Sequence, residues 1–102
     1  MSEKELYAEV QSCCDRLLLW TYHSHDARRD VKGWPDLVIW GPGGMLFREL
    51  KSERGRSSRA QLEIMTSLRL AGQDAAIWRP KDLDAGVVGR ELFALTRPTP
   101  LT

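Results

Sequence analysis

The sequence GWPDLVIWGPGGMLFRELKS, which runs from Gly33 to Ser52, decides the fold prediction. Two runs rich in β-forming residues, 36–40 and 45–51, flank the glycine-rich sequence GPGG. This pattern predicts a β-hairpin with a four-residue loop. Both runs also contain charged residues, and charged side chains in a strand that is predicted to be buried need a physical explanation.

The predicted hairpin places two carboxylates opposite each other. If GPGG is the whole loop, Trp40 pairs with Met45, and counting outward along the antiparallel ladder brings Asp36 opposite Glu49. Side chains in such a pair have Cβ atoms about 4.5–5.5 Å apart, and like charges there are destabilising. Lys51 is two residues after Glu49, so it projects from the same face and lies beside both acids.

Two acids and a lysine that converge on one point suit a hard divalent cation. Magnesium takes carboxylate oxygens as ligands and leaves its other positions to water and a substrate phosphate. Lys51 would then orient or deprotonate an attacking water, or stabilise charge on the phosphate. In the alternative interpretation, Lys51 only neutralises a structural cluster at the sheet edge. A one-residue slip in register would also move Glu49 to the other face, where Arg48 is predicted.

The remaining patterns surround the hairpin with helices and further strands. Helical spacing of apolar residues, with Ser2 as N-cap, predicts the first helix, and a capping box of Ser58 and Gln61 predicts the start of the second. The other predicted elements follow in chain order: helix Glu3 to about Trp20, strand WTYH (20–23), the hairpin, helix Arg59–Leu70, strand Ala75–Trp78 and a short helix Val87–Leu95. The order αβββαβ predicts an α/β fold with a mixed central sheet flanked by helices.

Length and composition predict one small globular domain. The 102 residues suit a single domain over 1–95, followed by a tail over 96–102 in which two prolines forbid regular structure. A hydrophobic fraction of 42% and a charged fraction of 28% are typical of a soluble protein and predict no membrane partner. The adjacent Cys13 and Cys14 suit neither a zinc site nor a disulfide framework. Together with a polar N-terminal segment they predict a cytoplasmic protein.

Positive charge is concentrated in two segments, although the net charge is only +1. The segment KSERGRSSR contains one acid, and HSHDARRDVK combines histidines with basic residues. Such runs are either solvated faces or phosphate contacts. The candidate DNA-binding residues are His23, His25, Arg28, Arg29, Arg54, Arg56 and Arg59.

Four short motifs in one order resemble the VRR-NUC family of virus-type replication-repair nucleases, within the PD-(D/E)XK superfamily. The family pattern has a proline-aspartate strand, an E-L-K strand, a G-R-x-S-x-x-Q loop-to-helix junction and a W-R-P strand end. The sequence contains PD at 35–36, ELK at 49–51, GRSSRAQ at 55–61 and WRP at 78–80. The resemblance covers roughly Glu3 to Leu83 and implies a restriction-endonuclease-like αβββαβ core.

The resemblance also implies roles for individual residues. Asp36 and Glu49 match the family's metal-binding carboxylates, and Lys51 matches its catalytic lysine. The backbone carbonyl of Leu50 would be a further metal ligand. Gln61 matches a family glutamine near the site, although a capping box would give it a purely local role.

A first-helix glutamate completes the acidic cluster in the family, and this sequence offers three. Glu3 best matches the family pattern of a glutamate three residues before a helix leucine. Glu9 flanks the apolar stripe of the helix and could also reach inward, and Glu5 is the third alternative.

The activity implied by the resemblance is a Mg²⁺- or Mn²⁺-dependent endodeoxyribonuclease. Stand-alone members are similar to Holliday-junction resolvases and act as homodimers on branched DNA during replication, repair or recombination. Four tryptophans are more than a core of this size readily buries. An exposed tryptophan is compatible with a dimer interface. A non-catalytic nucleic-acid-binding or assembly subunit is the alternative function, and a structural domain with a salt-bridge cluster is a third.

Overall fold

The computed structural model describes residues 1–24 and 31–98. Over these ranges the helices are Glu3–Arg16 (α1), Arg59–Leu70 (α2), Pro80–Asp84 (α3) and Val87–Ala94 (α4), and the strands are Trp20–His23 (β1), Leu37–Gly41 (β2), Gly44–Leu50 (β3) and Asp74–Trp78 (β4). The predicted αβββαβ order is confirmed, and α3 is an additional helix. Pro80 does not simply end a strand, because it occupies the first position of α3, where its missing N–H costs nothing.

Helix α1 starts as predicted and ends earlier. Ser2 Oγ accepts a hydrogen bond from the Glu5 N–H at 3.1 Å, and Glu5 Oε1 accepts one from the Ser2 N–H at 3.1 Å. The helix ends at Arg16 because Leu18 adopts a left-handed conformation with φ 58°. The predicted end near Trp20 is therefore wrong. Trp20 belongs to β1, so it is not part of the apolar face of α1.

The hairpin has the predicted register and a tighter loop. Trp40 pairs with Met45, and the ladder continues to a pair between Gly41 and Gly44, so the loop contains only residues 42–43. The predicted four-residue loop is wrong because its two outer glycines pair with each other. The Gly43 N–H donates to the Leu95 carbonyl at 2.9 Å, which fixes the turn against the end of α4.

The sheet has the order β1-β2-β3-β4, and its last pair is parallel. Helices α1 and α4 cover one face, where Leu37, Ile39 and Leu46 belong to the larger core cluster. Helix α2 covers part of the other face through Met65 and Leu68. In residues 1–24 and 31–98, no helix has the length and apolar character needed to cross a membrane.

Arg48 points away from Glu49, as predicted, and it is fully buried. Its Nη2 lies 2.9 Å from Asp74 Oδ1 and 2.9 Å from Glu91 Oε2, and its guanidinium carbon lies 5.0 Å from the centre of the Trp78 ring. A buried charge is tolerated when it is paired and hydrogen-bonded. This network joins β3, β4 and α4.

Gly33 allows the first turn of α2 to lie against the segment that leads into β2. Its φ is +86°, and an added Cβ would lie 2.3 Å from the Ala60 carbonyl oxygen and 2.8 Å from the Gln61 nitrogen. Both neighbours are backbone atoms, so they cannot move aside as a flexible side chain would.

We expect Gly33→Ala to destabilise the fold more than Gly72→Ala. Gly72 has nearly the same φ, +84°, but an added Cβ would meet nothing within 4 Å. Gly72→Ala should therefore lose only about 1–2 kcal/mol, from the left-handed conformation. Gly33→Ala should lose about 1–3 kcal/mol more, because it also overpacks against α2. Urea denaturation measures both losses, and equal values would contradict the close contact.

Candidate active site

Asp36 and Glu49 meet where β2 begins and β3 ends. Leu37 pairs with Arg48 in the ladder, so Asp36 and Glu49 are the next residues outward along the two strands of the hairpin. Asp36 Oδ2 accepts a hydrogen bond from the Leu50 N–H at 2.8 Å. This bond holds the Asp36 carboxylate against the end of β3.

The Glu49 carboxyl is strongly perturbed. Its residue is only 3% exposed. Burial raises the pKa of Glu49 to about 9, and the hydrogen bond and negative charge of Asp36 add to the rise, whereas the charge of Lys51 opposes it. Because burial disfavours the charged form, the carboxyl binds a proton at neutral pH unless a cation compensates it.

Lys51 follows β3 and stays close to this pair. Its backbone N–H donates to the Trp78 carbonyl at 3.1 Å, which extends the parallel ladder by one residue. Its positive charge lowers the pKa of Glu49, as expected for an ammonium group near that carboxyl. The structure therefore brings Asp36, Glu49 and Lys51 together, and their catalytic roles stay predictions.

Of the three first-helix glutamates, the structure brings Glu3 to the site. Its charge also raises the pKa of Glu49. The Glu5 side chain instead caps α1, and the hydrogen bonds from Ser2 lower the pKa of Glu5. Glu9 lies on the exposed side of α1.

A cavity of about 240 Å³ lies next to these acids. Its lining residues are Glu3, Lys4, Tyr7, His23, Asp36 and Leu50. Sequence reasoning missed Lys4 and Tyr7. Tyr7 is four residues after Glu3, a spacing that places both side chains on one side of a helix, and this signal could have identified it.

The donor atoms in this region fit a magnesium-type cation. Among the residues that the structure describes, no group of three or more His, Cys, Asp or Glu side chains is arranged to hold a metal. Mg²⁺ does not need such a cage, because it binds through one or two carboxylates and keeps several waters. In an extended strand the N–H and C=O of one residue point to the same neighbour, so the Leu50 carbonyl faces the Asp36 side.

Gln61 is engaged in the predicted capping box. Its Oε1 accepts from the Ser58 N–H at 2.8 Å, and its own N–H donates to Ser58 Oγ at 3.1 Å. The side chain therefore stabilises the start of α2, and a contact with the substrate stays a prediction.

The predicted DNA-binding residues lie at different places. Arg54 and Arg56 are exposed in the loop between Lys51 and α2. Arg59 is exposed and pairs with Glu63 at 3.0 Å. His23 is half-buried beside the cavity. The other three predicted residues lie outside the described part of the chain: His25, Arg28 and Arg29.

Two solved structures are similar to this chain, and the first of them supports the fold prediction. The chain is similar to a structure named VRR_NUC domain protein, with a TM-score of 0.69 and 20% sequence identity over 97% of this chain and 98% of that one. It is also similar to Hjc, a Holliday junction resolvase from Archaeoglobus fulgidus, with a TM-score of 0.47 and 20% identity over 76% and 65% of the two chains. No family model matches the chain, and no curated protein matches it. The VRR-NUC resemblance is confirmed at the level of the fold.

We expect Glu49→Gln to stabilise the metal-free protein at alkaline pH. The pKa of Glu49 rises from 4.5 in the unfolded chain to about 9 in the folded one. Between these values the unfolded state releases the proton and the folded state keeps it, so the wild-type protein loses stability as pH rises. Glutamine has no such proton to release.

Thermal melting in EDTA from pH 5 to pH 9 tests this expectation. The Tm of Glu49→Gln should exceed that of the wild type by a margin that grows with pH, at about 4–8 °C for each kcal/mol. Magnesium should reduce the margin, because it binds a charged carboxylate more tightly than a glutamine amide and therefore stabilises the wild type more. Asp84→Asn, at an exposed carboxyl, is the control, and a margin that does not change with pH would contradict the shift.

Proposed function

We propose that this chain is a divalent-metal-dependent endonuclease that hydrolyses phosphodiester bonds in branched DNA. The observation that carries the proposal is the buried Glu49 beside Asp36, with the positive charge of Lys51 close enough to act on Glu49. The raised pKa of Glu49 means that this carboxyl weakens the fold at neutral pH. Residues that weaken the fold in this way are typical of functional sites. The fold shared with a VRR_NUC domain protein supports a nuclease role.

Each residue at the site has a distinct part in this proposal. Asp36, Glu49 and the Leu50 carbonyl would hold Mg²⁺ or Mn²⁺, and Glu3 would add negative charge beside them. When bound, the cation supplies Lewis acidity toward the phosphate and a nucleophilic water near neutral pH. The hydrogen bond from the Leu50 N–H orients Asp36 before the substrate arrives. Lys51 would stabilise negative charge on the phosphate or orient the water.

The loop that follows Lys51 supports DNA as the substrate. Arg54 and Arg56 are exposed there, directly after the proposed site. Arginines at exposed positions bind phosphates without reading base sequence, which suits an enzyme that selects DNA by its shape. Branched or junction DNA is the proposed substrate, and the cytoplasm is the proposed location.

Among the residues that the structure describes, an exposed apolar face supports a homodimer. Trp20 is 68% exposed and Tyr22 55%, and the Trp20 ring stacks on Trp40 with centroids 6.5 Å apart. The face surrounds an open groove of about 600 Å³, lined by Tyr22, Val31, Trp34, Val38, Trp40, Met45 and Phe47. The groove adjoins β1, an edge strand that carries neither lysine nor proline against pairing. A second copy of the chain, with its own β1 alongside, is the proposed occupant.

We expect Asp36→Asn and Lys51→Met each to reduce DNA cleavage by at least about 100-fold, because each removes a group that acts on the reacting phosphate. The assay follows labelled four-way, flap and linear DNA with Mg²⁺, Mn²⁺ or EDTA. DNA binding, measured by mobility shift, should persist in both variants. Asp84→Asn, at an exposed carboxyl on α3, is the matched control and should cleave like the wild type.

Two results would contradict this function. If the wild-type protein cleaves none of the substrates with either metal but still binds DNA, the chain is a non-catalytic nucleic-acid-binding or assembly subunit. If cleavage continues in EDTA, the proposed metal dependence is wrong.

We expect the double variant Trp20→Ser and Tyr22→Ser to raise the dimer dissociation constant by at least about 30-fold. Exposed aromatic residues at the centre of an interface contribute most of its binding free energy. Sedimentation equilibrium measures the constant. Leu70→Ser removes an apolar side chain that is 85% exposed, more than Trp20 or Tyr22, from α2 and is the control. A wild-type protein that is monomeric at every concentration would contradict the homodimer.

A further inference from the structure

The Arg79 side chain holds the loop that follows β3. Its Nη1 lies 2.6 Å from the Ser52 carbonyl oxygen, 2.7 Å from that of Gly55 and 3.3 Å from that of Glu53. One guanidinium nitrogen carries two hydrogens, so the two short contacts are the main bonds and the third is shared. Hydrogen bonds from a charged donor are stronger than neutral ones.

The loop has little else to hold it in place. The segment 52–58, SERGRSS, contains no apolar side chain that could pack into the core. Its internal turn uses the Gly55 N–H, which donates to the Ser52 carbonyl at 3.2 Å. A weaker contact joins the Lys81 N–H to Glu53 Oε1 at 3.4 Å. The position of the loop therefore depends mainly on polar contacts from the residues that follow β4.

The same loop lies against the proposed active site. Lys51 immediately precedes it. A Cβ on Gly55 would lie 3.5 Å from Glu3 Oε1, so the loop backbone is in contact range of this carboxylate. Arg54 and Arg56 lie on either side of Gly55. Movement of the loop would therefore displace the basic residues proposed to bind phosphate and change the surroundings of Glu3.

Arg79 is itself attached to a rigid base. Its backbone N–H donates to Asp82 Oδ2 at 2.8 Å, which caps the start of α3. The next residue, Pro80, is buried and has a restricted φ. The main chain at Arg79 is thus fixed, so its side chain can hold the loop from a fixed position.

We propose that Arg79 is a positioning residue that clamps the 52–55 loop beside the active site. This inference rests on the proposed nuclease function. The clamp keeps Lys51, Glu3 and the two loop arginines in one arrangement, so that the substrate phosphate meets a preorganised site. Arg79 itself does not contact the reacting atoms.

Native-state trypsin digestion of the full chain in EDTA tests the clamp without requiring nuclease activity. The loop contains two trypsin sites, after Arg54 and Arg56, whereas the bond after Arg79 precedes proline and is resistant. Arg79→Ala should be cut in the loop about tenfold faster than the wild type, because the loop opens more often. Arg69→Ala is the matched control, since Arg69 Nε also donates to a backbone carbonyl, that of Ala75 at 2.7 Å, away from this loop. The control should leave loop cleavage unchanged.

DNA cleavage tests the role of the clamp in the reaction. We expect kcat/KM of Arg79→Ala to fall about tenfold, and millimolar guanidinium to restore part of it, which a general loss of stability would not allow. Arg79→Lys should be intermediate, because an ammonium group lacks the planar fork, and it replaces the alanine variant if that variant does not fold.

Three results would overturn the proposal in different ways. Unchanged loop digestion in Arg79→Ala would show that Arg79 does not hold the loop. Faster digestion with unchanged DNA cleavage would show that the clamp does not serve the reaction. If the wild-type protein cleaves no DNA, the proposed function fails and the positioning role fails with it, whereas the digestion result still decides whether the clamp exists.

Discussion

The burial of Glu49 beside a second carboxyl is the constraint on which the rest of the structure depends. Two acids in contact inside a sheet weaken the fold whenever both are charged, so other contacts must hold the strands together. The apolar cores on both faces of the sheet supply much of that stability. On the opposite face of the same strand, Arg48 is paired with Asp74 and Glu91. Two neighbouring residues of β3 thus differ in their surroundings: Arg48 is paired with two carboxylates, whereas Glu49 lies beside a group of its own charge.

The parallel pairing of β3 and β4 explains why the site forms at this edge. Parallel strands end at the same edge of a sheet, so Lys51 and Arg79 leave their strands side by side. The chain continues from Lys51 into the 52–58 loop, and the Arg79 side chain donates hydrogen bonds to the backbone of that loop. An antiparallel pair would have placed the two residues at opposite ends. Topology therefore brings together residues that are 28 positions apart in the chain.

The features that local sequence patterns determine were predicted well. The hairpin register follows from the spacing of two apolar runs around GPGG, and the shortened loop did not change it, because Trp40 still pairs with Met45. The capping box at Ser58 and Gln61 is equally local, since its partners are three residues apart.

The features that tertiary contacts determine were not predictable. Leu18 follows the end of α1 in a left-handed conformation, and no capping residue in the sequence indicates it. The partners of Arg48 lie 26 and 43 residues away in the chain. The sequence offered three first-helix glutamates with similar patterns, and only the packing of α1 against the sheet brings Glu3 near Glu49. Each of these outcomes depends on an element that is distant in sequence.

The contact between Gly43 and Leu95 has a consequence for the order of assembly. The turn that joins β2 to β3 donates its backbone N–H to a carbonyl that follows it by 52 residues. The hairpin carries the acidic pair at its other end, and this contact at the turn needs the end of α4 in place. The two carboxyls lie at the open end of the hairpin, where the Leu50 N–H binds Asp36 within the hairpin itself. The turn therefore depends on a contact of long sequence separation, whereas the acidic pair depends on the short-range register of the hairpin.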